Sequence, residues 1–486
     1  MRIVYFDIDS LRPDHLGCYG YHRNTSPNID RLAEDSTIFT QAYCVTSPCV
    51  PSRTSLVSAR YGINNGVMTH WGEGCNFYYP EGDFHSKEMP LFTRYLREAN
   101  HRTITFSSFA DRHHAWWFFG GWNEVHTHTL KVGNEDADEV NDAVLPWIKE
   151  HGLEENYFLH IQYWDPHAAY TYPKEYKEQF DQEPVKSFPD ENTIKKQQQD
   201  AHPRSAQFLH WNTNYDSLPQ ETMPEKITNR QDYKKLINGY DGGVSYMDKH
   251  LGEIVEAYRE LGIEEDICFI ITADHAESFG EQGVYLEHGM ASKSVHHIPL
   301  IVRMPKYERV VQKTNQFIYN VDVMSTIADM LHLPIPSGWD GESFLPTLRG
   351  EEMKEREYLV LEHGLYACQR AVVDESWFYL YTYHEGFYEI EKEILYDLNK
   401  DPHQLVNVFE QHPEIIRTMR ERLNKWEHYN LKKNQIKKDP MRDIISSGGP
   451  FRYLKPEDWV QRLQKSGWYK SAKKYADKYI IPPMDL

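Results

Sequence analysis

The chain has 486 residues, 40% hydrophobic and 26% charged, the balance of a folded globular protein too long for one ordinary core. Its formal charge of −20 excludes nucleic acid and an anionic membrane surface as main partners, and an anionic substrate would need Arg, His and metal charge gathered into one pocket. Six cysteines (Cys18, Cys44, Cys49, Cys75, Cys268, Cys368) follow neither metal-finger nor disulfide-scaffold spacing and are expected to be mostly reduced.

Met1 leads directly into Ile3-Val4-Tyr5-Phe6, and no stretch is long enough to span a bilayer, so a cytoplasmic location with no membrane partner is expected. Ile3 to Asp9 is an apolar run ending in acids, the pattern of a buried parallel strand that opens onto a site. Asp7 and Asp9 stand two apart and so share one side of a strand. Either alone would serve as a helix cap; two together on an apolar strand call for a cation. Asn28 to Ala33 reads as a helix and Thr37 to Tyr43 as a strand.

Next comes Ser47-Pro48-Cys49-Val50-Pro51-Ser52-Arg53. Pro51 suits the first turn of a helix, which places Cys49 in the loop opening a helix that ends near Gly62. Free backbone N–H groups and the helix dipole favour an anion there, and Arg53 adds a fork of donors. A lone cysteine at such a junction reads as a buried structural residue. Met89 to Ala99 is helical by its apolar spacing and Arg102 to Phe106 strand-like. The loop Ser107 to Trp117 carries Arg112, His113 and His114, equally readable as exposed surface.

Asn156 to Tyr163 is another buried strand, and it leads to Trp164-Asp165-Pro166-His167, a histidine at a strand's C-terminal end. From Tyr172 to about Gln231 the chain is polar and irregular, an insertion over the active face. Val244, Met247, Leu251, Ile254, Val255 and Tyr258 follow helical spacing. Ile267 to Thr272 is a strand that delivers Asp274 and His275, and Glu287-His288-Gly289 follows. Short alternating runs from Tyr358 to Tyr396 predict an antiparallel sheet, and Pro413 to Trp426 a helix. The basic, aromatic tail from Lys432 fits no pattern.

Asp9-Ser10-Leu11-Arg12-Pro13, Cys49-Val50-Pro51-Ser52-Arg53, Asp165-Pro166-His167 and Asp274-His275-Ala276-Glu277, in that order, resemble the type I, formylglycine-dependent sulfatase family of the alkaline phosphatase superfamily, over roughly residues 2–427. The resemblance implies an α/β fold with a mostly parallel central sheet flanked by helices. It also implies a smaller C-terminal α+β subdomain containing an antiparallel sheet. Residues 1–350 would be catalytic, with a specificity insertion over 172–231; 351–430 would form the subdomain and 431–486 a tail.

The resemblance further implies that a formylglycine-generating enzyme oxidises Cys49 to formylglycine. One hydroxyl of the aldehyde hydrate then ligates a metal and attacks sulfur; the other is deprotonated to expel sulfate, a step closed to a thiol. Asp9, Asp274, His275 and the residue at 49 would surround one divalent cation. Ser10 stands where the family often has a second Asp, and Asp7 is the candidate to replace it. Ca²⁺ is the ion the resemblance implies, with Mn²⁺ or Mg²⁺ as alternatives because His275 takes the place of a frequent Asn.

Arg112 with His113 or His114 stands where many members carry Gly-Lys-Trp-His to hold the sulfate. His167 would bond the leaving oxygen and His288 protonate it, with Lys293 as the fallback. The expected reaction is hydrolysis of a small sulfate ester, a sulfated sugar being suggested by the 33 Tyr and 12 Trp. Phosphonate-monoester or phosphodiester hydrolysis is the nearest competing reading, and an inactive binding homologue with unmodified Cys49 a further one.

Overall fold

The computed structural model describes residues 1–78, 88–127, 131, 133–210, 223–305, 313–433 and 438–479. Parts of the expected insertion (211–222) and of the tail (434–437 and 480–486) lie outside the described residues. Fifteen strands are described: β1 Arg2–Ile8, β2 Thr37–Tyr43, β3 Thr46–Ser47, β4 Arg102–Phe106, β5 Glu124–His126, β6 Tyr157–Tyr163, β7 Ile267–Ala273, β8 Ser278–Phe279, β9 Tyr285–Glu287, β10 His297–Arg303, β11 Lys313–Tyr319, β12 Leu359–His363, β13 Cys368–Val373, β14 Trp377–His384 and β15 Glu393–Asp397.

The large sheet runs β11-β2-β10-β7-β1-β6-β4-β5. Only β10 is antiparallel to its neighbours, so the sheet is mostly parallel. β6 and β7 are buried throughout and β1 everywhere but Arg2, as their mostly apolar sequences, interrupted by Asp7, His160, Gln162 and Thr272, favour in strands covered on both faces. The helix Arg230–Glu260, N-capped by the Asn229 side chain, buries Val244, Met247, Leu251, Ile254 and Tyr258 in the same core. Ala137–His151 opens with a reciprocal cap between Asp136 and Glu139.

The smaller sheet runs β15-β14-β13-β12-β3 and is antiparallel except where β3 joins β12 in parallel. This pairing sets Ser47 opposite His363, so the residue two before Cys49 belongs to the C-terminal sheet. Ser47 Oγ lies 3.0 Å from His296 Nε2 and 2.9 Å from His363 Nδ1, fully buried. The Cys49 loop is thereby held between the two sheets.

Three boundaries differ from expectation. The helix carrying Cys49 spans Cys49–Ser58 and stops at Ala59, whose φ of 52° is left-handed, well short of Gly62. Pro51 is its third residue, and Pro48 precedes the helix. The helix expected over 89–99 is Phe92–Glu98, starting after Pro90. The segment after 437, featureless in sequence, forms helices Pro440–Ser446, Pro456–Lys465 and Tyr469–Tyr479. Trp459, Val460, Leu463 and Tyr475 bury against Ala201 and Phe208 of the insertion and Phe387 of the smaller subdomain. No helix among the described residues is long and apolar enough to cross a membrane.

Candidate active site

β1 and β7 are adjacent and parallel, and the residues just past their C-terminal ends are Asp9 and Asp274. Between them the Cys49–Ser58 helix enters with its first residue. The Asp9–Arg12 turn is braced by the long helix: Tyr240 Oη donates to the Ser10 carbonyl at 2.7 Å and accepts the Arg12 N–H at 2.8 Å. Ser10, at φ 60°, directs its own N–H to Asp274 Oδ1 at 3.3 Å. Ser52 Oγ holds the Asp274 carbonyl at 2.5 Å.

Cys49 Sγ lies 3.2 Å from His275 Nε2. Ligand atoms of Asp9, Cys49, Asp274 and His275 all fall within 4.8 Å of one another, and all four residues are buried. His275 Nδ1 donates to the Ala276 carbonyl at 2.9 Å, which leaves the lone pair on Nε2, the atom facing the group; this is how a ligating imidazole is oriented. Two carboxylates, an imidazole and the side chain at 49 are a donor set that fits a divalent cation, and formal charge agrees. Asp7, Asp9 and Asp274 carry three negative charges, and Arg53 brings only one positive charge among them.

Arg53 is fully buried, with Nε 2.7 Å from Asp7, and Nη1 3.0 Å from Asp9 and 2.6 Å from Asp274. Its fork, expected to face an anion, is occupied by carboxylates, because acids this deep demand a counter-charge. Asp7, expected as the second metal carboxylate, lies outside the four-residue ligand group. It is held instead by Arg53 and by His160 Nε2 at 3.2 Å. Burial opposes ionisation of both Asp7 and Asp9, yet Arg53 keeps their carboxyls below the ordinary range. Burial, reinforced by Asp9 and Asp7, pushes Asp274 well up, and burial with Asp9 and Asp274 raises the Cys49 thiol. That shortage of positive charge is what a cation would relieve.

Cys49 opens onto a cavity of about 430 Å³ also lined by Arg112, His113, His167 and His288. Four expected site residues thus share one cavity with Cys49. Burial lowers His167, and burial with Arg112 takes His113 down to about 3. His288 behaves oppositely. Although burial works against its charge, Glu287 at 3.3 Å and Glu277 at 3.5 Å raise it to about 9. Its ring lies 4.3 Å from that of His275 and 6.0 Å from that of His167. Arg112 lies over the Trp164 ring at 4.7 Å and donates to Asn134 at 3.1 Å. Lys293 and His114 do not line the cavity.

Several lining residues carried no assignment in the sequence: His70, Arg204, Glu277, Glu287, Tyr366 and Tyr453. Glu277 and Glu287 flank motifs already singled out, so proximity in sequence was a signal for them. His70 and Tyr453 are 383 positions apart, and no local pattern joins them.

A family model described as Sulfatase matches residues 2–333, and one described as N-sulphoglucosamine sulphohydrolase, C-terminal, matches 280–429. Iduronate 2-sulfatase of Mus musculus is 25% identical over 351 residues, covering 63% of this chain; the chain spans 59% of that relative's length. The phosphonate monoester hydrolase of Agrobacterium radiobacter superposes with a TM-score of 0.71 at 20% identity, covering 88% of this chain and 96% of that one. A structure described as in complex with its substrate D-glucosamine-2-N,6-O-disulfate superposes with a TM-score of 0.71 at 16% identity, covering 90% and 99%.

Proposed function

The chain belongs to the sulfatase family, and from that premise we propose that it hydrolyses the sulfate ester of a sulfated sugar, with formylglycine formed from Cys49 as nucleophile and one divalent cation. The observation that carries this reading is the position of Cys49 beside Asp9, Asp274 and His275, in the lining of a cavity that His70, His113, His167 and His288 also line. Similarity to a sulfatase of iduronate and to a structure bound to a sulfated glucosamine supports a sugar as the alcohol.

Asp9, Asp274 and His275 would hold a divalent cation, and such an ion would supply Lewis-acid chemistry at the site. Arg53 keeps Asp9 ionised. Arg112 offers its guanidinium to the sulfate oxygens, fixed in direction by Trp164 and Asn134. Glu287 and Glu277 favour the charged form of His288, which suits it to give the proton that a sugar alkoxide needs on departure. His167, neutral through burial, bonds the bridging oxygen. Ca²⁺ is the ion assigned by family resemblance, and an imidazole ligand admits Mn²⁺.

Two measurements test the reading together. Peptide mass spectrometry of residue 49, from a host with a formylglycine-generating enzyme, should show the aldehyde; turnover of an aryl sulfate should exceed that of an aryl phosphonate. An unmodified thiol in protein that lacks turnover would point to a binding homologue, and preference for the phosphonate to the neighbouring esterase chemistry.

A further inference from the structure

The family models end at residue 429, yet the chain beyond them returns to the catalytic cavity. Tyr453 lines it beside Tyr366 and His70. The Tyr453 hydroxyl lies 2.5 Å from His70 Nδ1. Its ring meets Trp71 edge-on at 4.3 Å between centroids and stacks with Tyr366 at 6.0 Å. Tyr453 is 36% exposed, so ring surface of this cluster is open to solvent where Tyr453 lines the cavity.

The histidine supplies a second, independent observation. His70 is 4% exposed, and its Nε2 has no hydrogen-bond partner among the described residues. Burial, with His113 next, holds its ring well below the usual imidazole range, so one nitrogen donates and the other accepts. Tyr453 pairs with Nδ1, which leaves Nε2 as the unpaired nitrogen of a ring that lines the cavity. A buried polar atom left unsatisfied is costly.

The segment is fastened rather than draped. Asp439 accepts from Arg370 at 2.6 and 2.9 Å, Arg452 donates to the Glu73 carbonyl at 2.6 Å, and Trp459 Nε1 donates to the Ala201 carbonyl at 3.1 Å. The middle contact ties the residue before Tyr453 to the loop that carries His70.

We propose that this C-terminal extension is a working part of the substrate site: Tyr453 orients His70 toward a polar substituent of the sugar and, with Tyr366, forms the aromatic wall against which the sugar ring lies, while Trp71 backs the Tyr453 ring. The extension thus selects the alcohol that bears the ester, while the motifs at residues 9, 49 and 274 handle the sulfate. This inference rests on the sulfatase reading. It makes Tyr453 a specificity-determining residue that acts partly through His70.

The test compares binding of a sugar sulfate with that of inorganic sulfate, by calorimetry on the metal-loaded full chain. D-glucosamine-2-N,6-O-disulfate, N-acetylgalactosamine 6-sulfate and iduronate 2-sulfate are tried on wild type, and the tightest is carried forward. Tyr453→Ala should weaken that sugar about tenfold or more through lost stacking, with inorganic sulfate changed less than about twofold, the span of ordinary surface substitutions. Tyr453→Phe keeps the ring and loses the hydroxyl, so a loss of roughly three- to tenfold is expected for the sugar alone. Equal weakening of sugar and inorganic sulfate, or no change for the sugar, overturns the proposal; so does a wild type that binds no sugar more tightly than inorganic sulfate. Failure of wild type to bind inorganic sulfate or turn over any sulfate ester instead counts against the sulfatase reading itself.

Discussion

Replacing Arg53 by Met removes the guanidinium that touches Asp7, Asp9 and Asp274 while keeping most of the buried volume. Each contact, at an effective dielectric near 20, has a Coulomb energy of about 4 kcal/mol at 4 Å, but much of that sum offsets the cost of having buried the charges. The loss on deleting one partner of such a pair is about 3–5 kcal/mol, because the carboxylates remain buried without a counter-charge. Roughly two to three and a half powers of ten in the folded-to-unfolded ratio follow. Urea unfolding in the presence of a chelator measures this, and adding a divalent cation should shrink the deficit, since the cation neutralises the same carboxylates. Arg53→Lys should lie between, because a single ammonium cannot meet three carboxylates in the directions a guanidinium does. A loss below about 1 kcal/mol in chelator, the range of an exposed pair, would refute the view that Arg53 is the charge that keeps this cluster folded.

Three further outcomes are expected. Asp274→Ala should lose both bound metal and turnover, and stoichiometric metal by elemental analysis in that variant would remove Asp274 and its neighbours from the cation site. His288→Ala should slow a sugar sulfate by about a hundredfold or more, the scale of general acid catalysis, and a nitrophenyl sulfate far less. Because His288 is raised to about 9, its proton is present below that pH and lost above it. Wild-type kcat on the sugar sulfate should therefore fall as pH rises through about 9, a limb absent from the variant; equal losses on both substrates would make His288 structural. Cys49→Ser should attack once and then stall, with a sulfated-serine mass and negligible steady-state turnover, whereas wild-type-like turnover would exclude the formylglycine route.

Much of the frame was determined by the sequence alone. β1, β6 and β7 are predominantly apolar runs without period-two alternation, the pattern of strands covered on both faces. Asp9, Cys49 and Asp274 sit in short linear motifs, and strand or helix ends place such residues at a site. The helix containing Met247 and Leu251 was equally plain, because its periodicity records the face it buries.

The tertiary structure decided how the charges pair. Arg53 and Asp7 were both legible as polar residues near the site, but a donor fork aimed at an anion and one spent on three carboxylates have the same sequence. Only the meeting of β1, β7 and the Cys49 helix distinguishes them. The pairing of β3 with β12 is likewise non-local, joining residues 46–47 to 362–363, and a two-residue strand has no pattern to detect. His70 acquires a partner, and the cavity a wall, from Tyr453, 383 positions away. Local propensity acts over a few residues, whereas burial and hydrogen bonding act between whatever the fold brings together; the catalytic motifs belong to the first kind and the surface that chooses a substrate to the second.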